Sequence, residues 1–196
     1  MKSSLIAAAI AAALVAAFAV SVFSQWSNLL VWAAFIGWAS YDHSGANRQA
    51  ALRSSACLVF GAAMAWAVAA VVATGTAPLS ATPAAALVAG AASFLIVAAS
   101  SVPILSIVPA VFYGFASTFA YASLVPGASA IGSLTAFTWR NAFVAVAISL
   151  VIGTALGLLH GWLASALIHP SRRPTSGRAV RLDGSPAAKK SEPQPQ

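Results

Sequence analysis

The chain has 196 residues, 60% of them hydrophobic and 7% charged, a balance that excludes an ordinary water-soluble domain and places nearly all of it in a bilayer. Ten Lys and Arg stand against three Asp and Glu, so paired-carboxylate catalysis and proton carriage through buried acids both lack material. The lone Cys57 rules out an intrachain disulfide, and no Gly-rich phosphate loop, H-x-x-x-H pair or nucleophile elbow is present; no cofactor, no metal site and no enzymatic activity are expected.

Six apolar spans follow in order, at residues 5–23, 26–41, 54–74, 84–101, 104–124 and 142–167, most near the roughly 20 residues that cross a hydrocarbon core as helix. The first, behind Lys2, imitates a secretion signal with A-F-A at 17–19, but its apolar run is longer than a signal core and it is expected to be kept. The second is short. It must lie straight, lean on Trp26 and Tyr41 at the interfaces, or enter the membrane without fully crossing it. A turn at 42–47 leads to the third span, and the uncharged stretch 74–83 leads to the fourth.

Pro103 and Pro109 bracket the start of the fifth span. A proline inside a helix frees a carbonyl, for which Ser100, Ser101 and Ser106 are candidate partners; the alternative is a tight turn at Pro103 and a mild kink at Pro109. The stretch 125–138 is uncharged and is expected to fold back into the protein as a plug or filter. Beyond the sixth span, the Pro-rich basic tail at 171–196 has little to bury and is expected to be disordered. Its cations suit lipid headgroups; nucleic-acid binding is not expected, because no aromatics stand among them.

Six of the ten basic residues (Arg172, Arg173, Arg178, Arg181, Lys189 and Lys190) follow the last span, which predicts a cytoplasmic C-terminus and, with six spans, a cytoplasmic N-terminus. Lys2, Arg48 and Arg53 fall on the same side. Arg140 breaks the rule.

An internal repeat runs through this pattern. A-A-F-I-G-W-A-S at 33–40 matches A-V-F-Y-G-F-A-S at 110–117, and the segment 48–63 matches 140–155 without a gap. The offsets are 77 and 92, so 15 residues are inserted in the second half. Halves of three spans each enter the membrane from opposite sides, an arrangement found in channels and transporters with the substrate path at the interface between halves. The predicted architecture is an all-α polytopic membrane helix bundle over 1–170, with inverted three-helix repeats at about 1–75 and 84–168.

W-A-A-F-I-G-W-A-S-Y at 32–41 and I-V-P-A-V-F-Y-G at 107–114 resemble the bacterial inner-membrane proteins grouped as domain of unknown function 1097, the YcdZ-like family. The resemblance covers about 25–162, with Ala110 where that family usually has Gly. It implies a small multi-pass protein of the bacterial inner membrane and brings no catalytic residues.

Candidate site residues cluster in the second spans of the two halves. Gly37 and Gly114 are repeat counterparts, followed by Ser40 and Ser117, with Phe35 and Trp38 in one copy and Phe112 and Phe115 in the other. With Pro109 they are read as lining a narrow path for a small neutral solute, or instead as helix packing. Arg48 and Arg140 form matching vestibules or snorkel to headgroups. His160, in the last span, is a proton-sensitive gate or an interface residue. The function expected is a passive channel or facilitator for a small, mostly neutral polar solute, working as a homo-oligomer in the lipid bilayer; a non-transporting scaffold or accessory subunit is the alternative.

Overall fold

The computed structural model describes residues 2–26, 28–75 and 81–168; the tail at 171–196 lies outside them. The described residues form α1 (Lys2–Phe23), α2 (Val31–His43), α3 (Arg48–Ala73), α4 (Ala81–Ala99), a 3-10 turn (Pro103–Leu105), α5 (Val108–Leu124), α6 (Ile131–Thr135) and α7 (Ala142–Ile168). Among them there is no strand, and the all-helical expectation holds.

Local chemistry explains the boundaries. Asn47 caps α3 by accepting from the Ala50 N–H at 2.8 Å, and Asn141 caps α7 by accepting from the Phe143 N–H at 2.9 Å. Pro103 and Pro109 both fall in the first turn of their helices, where a missing N–H costs nothing. The freed interior carbonyl expected from Pro109 therefore does not arise. Ser100 and Ser101 instead close the end of α4 onto Val97 O and Ala98 O, and Ser106 donates to Pro103 O at 2.9 Å.

Four helices, α1, α3, α4 and α7, are long and apolar enough to cross a membrane. The second and fifth expected spans are the exceptions. α2 has 13 residues and α5 has 17, about 20 and 26 Å of helix against a hydrocarbon core of about 30 Å. Each follows a lead-in that is not α-helical, at 24–26 and 28–30 before α2 and at 100–107 before α5.

Two glycine crossings hold the bundle together. A Cβ on Gly37 would fall on the Leu150 carbonyl oxygen, and one on Gly153 would fall on that of Ala34, so α2 and α7 touch backbone to backbone. Gly61 meets the Val111 carbonyl and Gly114 that of Leu58 in the same way, joining α3 to α5. The residues meeting at one crossing are the counterparts, at the offsets 77 and 92, of those meeting at the other. Leu30 pairs with Ser149 and Tyr41 with Gly157, so α2 and α7 run in the same direction. α1 lies along α7 with its start at the end of α7, His160 Nε2 being 3.3 Å from Ala8 O.

The inserted stretch packs onto the bundle through Ala128 and Leu134, while most of its other residues are exposed. Leu134 of α6 is fully buried, and its carbonyl accepts from Trp66 Nε1 at 3.0 Å and Asn141 Nδ2 at 2.7 Å. Asn141 also donates to Ala136 O at 3.1 Å, so one buried amide ties α6 to the start of α7. Asn141→Ala should lower stability by about 1–3 kcal/mol, because it strands buried groups. Thermal unfolding in detergent should show a smaller loss, about 1 kcal/mol, for Asn47→Ala at an exposed cap.

Candidate functional site

The short helices begin below the ends of the long ones. α2 has no side-chain cap of its own; its entry residue Leu30 donates its N–H to Ser149 Oγ at 3.0 Å, roughly two turns inside α7. The counterparts of Leu30 and Ser149 are Ile107 and Cys57. Cys57 packs with Ile107 roughly two turns inside α3, and its thiol reaches Ile104 O at 3.5 Å. Two stretches of non-helical backbone thus sit inside the ends of the long helices, one toward each end of the bundle. Within a membrane such backbone is tolerated only where protein buries it or water reaches it.

The sequence-predicted residues separate into three groups. Gly37 and Gly114 face helix backbone, not open space, and Pro109 is exposed at the start of α5. Phe35 and Trp38 pack toward α1 and α7, whereas Phe112 and Phe115 pack with Cys57 and Ile96 toward α3 and α4; the rings turn away from a shared lumen. Ser40 and Ser117 part company. Ser40 Oγ pairs with Ser54 Oγ at 2.7 Å, but the second half has the apolar Val146 at the position of Ser54, and the buried Ser117 Oγ has no partner.

Ser117 lines a groove of about 520 Å³ between α2 and α5, with Trp32, Ile36, Tyr113, Ala116 and Ala120. At one end the His43 and Tyr113 rings meet edge to face, their centroids 6.4 Å apart. At the Arg140 end of the bundle a polar cleft of about 350 Å³ is walled by Asn28, Tyr121, residues 125–128, Ser133 and Arg140. The two places are adjacent in sequence at Ala120 and Tyr121. Arg48 is exposed at the opposite end, so the two arginines stand at opposite ends, as their places at the starts of α3 and α7 suggested.

His160 is held by three helices. Its ring lies 5.1 Å from that of Trp38, its Nε2 is at Ala8 O, and Asp42 is close by. Reading the sequence missed the groove wall and the cleft. The stripe of Tyr113, Ala116 and Ala120 carries a helical spacing that marks one small-residue face, but nothing in the chain says that α2 will face it. Asn28 is distant in sequence from Ser133 and Arg140, and the three line one cleft only because the fold brings the entry to α2 beside the insertion.

Long apolar helices, backbone-level glycine contacts and non-helical segments inside the helix ends define an all-helical membrane protein. Over residues 9–165 the chain matches the family described as Protein of unknown function (DUF1097), and it belongs to that family. No curated protein and no solved structure matches it.

Proposed function

We propose that the protein is a passive facilitator for small, mostly neutral polar solutes in the bacterial inner membrane, built from two inverted halves. The observation that carries this reading is the pair of short helices, α2 and α5, in corresponding positions of the two sequence repeats. Such pairs point to the substrate path in proteins built from inverted repeats. In this reading the chain makes six passages, two of them completed by the non-helical lead-ins to α2 and α5, and both termini face the cytoplasm. The path runs from the Arg140 cleft along the α2–α5 groove to His43. Its aromatic and alanine walls suit a small uncharged solute better than a hydrated ion.

Solute swelling of liposomes containing the purified protein tests it. Urea, acetamide or water should enter faster than into empty liposomes. The dry glycine crossings favour a second reading, a scaffold or accessory subunit, and fluxes equal to those of empty liposomes for every solute would side with it. Topology is tested separately. A reporter fused at Ala188 should read cytoplasm and one within 74–82 periplasm; a periplasmic C-terminus would remove the inverted halves.

A further inference from the structure

The cleft at the Arg140 end contains more unpaired polar chemistry than a loop wall needs. Asn28, Tyr121, Ser133 and Arg140 all line it, and none of these side chains has a hydrogen-bond or ion-pair partner within the described residues. Tyr121 is the telling member. The residue is only 9% exposed, its ring packed into the bundle core, and its hydroxyl remains accessible beside the exposed Asn28 and Arg140. Among the described residues Arg140 likewise has no counter-ion. The other acids, Asp183 and Glu192, belong to the tail, and Asp42, the one acidic residue described, closes α2 near His160, at the far end of the bundle.

We propose that this cleft binds a small monocarboxylate. A guanidinium presents parallel N–H donors that match the two oxygens of a carboxylate. The Asn28 amide, the Tyr121 phenol and the Ser133 hydroxyl supply further donors for the remaining lone pairs. A volume of about 350 Å³ is in the range of small-ligand sites. One arginine balances one charge, which selects a monoanion over a dianion. α7 begins at Ala142, two residues past Arg140, and the positive end of this long helix adds to the field. The site stands on its own side chains and does not depend on the facilitator reading, whose path suits uncharged solutes.

The test uses the full chain in phosphatidylcholine nanodiscs, with acetate and its neutral isostere acetamide observed by ligand NMR. Arg140→Gln should weaken acetate binding about tenfold or more and leave acetamide within about twofold, while Arg140→Lys should restore part of the acetate affinity. Tyr121→Phe should weaken acetate by a smaller factor, and added salt should weaken it further. Acetate binding that Arg140→Gln leaves unchanged would overturn the site. Displacement by glycerol phosphate with no competition from acetate would overturn it in favour of a lipid headgroup. In liposomes, Arg140-dependent acetate binding with no flux of urea, acetamide or water keeps the site and defeats the facilitator; flux of those solutes with no acetate binding does the reverse.

Discussion

Gly37→Leu and Gly153→Leu should each strip most of the folded protein from the membrane. A side chain at either position must displace the carbonyl of Leu150 or Ala34, and backbone in a long helix cannot rotate away as a side-chain tip can. Overpacking a core costs typically about 1–3 kcal/mol, and a clash with backbone lies at the upper end, because two helices must separate along their length. Gly61→Leu and Gly114→Leu should behave alike, since Gly61 and Gly114 meet Val111 and Leu58 in the same way. Gly90→Leu is the control: nothing stands within 4 Å of a Cβ there, and the substitution should be tolerated. The measurement is monodisperse yield in detergent with a thermal melt. A Gly37→Leu protein as stable as wild type would show that the crossing is looser than described.

Ala116→Phe should do the opposite, leaving the fold intact and cutting solute flux at least about tenfold. Ala116 is exposed in the α2–α5 groove, away from the glycine contacts, so a ring there fills the groove without prising helices apart. A tenfold change corresponds to about 1.4 kcal/mol in the barrier to passage, a modest demand on a side chain that occupies the path. Liposome swelling with urea reads the flux, and the melt used for the glycine variants reads the fold. Wild-type flux through a folded Ala116→Phe protein would move the path elsewhere.

Periodicity and length made the helices legible, because an apolar run in a bilayer has few alternatives to helix. The two that came out shorter show what hydropathy does not encode. Trp26, Leu29 and Leu30 read as the start of a span, yet they do not join α2; Leu30 instead gives its N–H to Ser149 on a helix more than a hundred residues away. Pro103 and Pro109 were visible as breakers, but only their places at N-terminal turns decide between a kink and a start. The glycines were rightly singled out by their duplication. What they touch was not legible, because Gly37 has Gly114 as its sequence counterpart and Leu150 as its neighbour. Arg140 drew notice as a misplaced cation; Asn28, Tyr121 and Ser133 did not, because an ordinary polar residue becomes a site only through the company the fold gives it.

The exchange of partners between the halves, α2 with α7 and α5 with α3, also sets the order of assembly. During synthesis α2 is made early and stays without its main partner until α7 is finished. At the usual pace of translation that wait is on the order of ten seconds. Through that interval the exposed glycine face of α2 is available to other membrane proteins. Neither half is then a folding unit, despite the duplication that relates them, and a chain cut between α3 and α4 should yield two fragments that are each degraded alone and survive when made together.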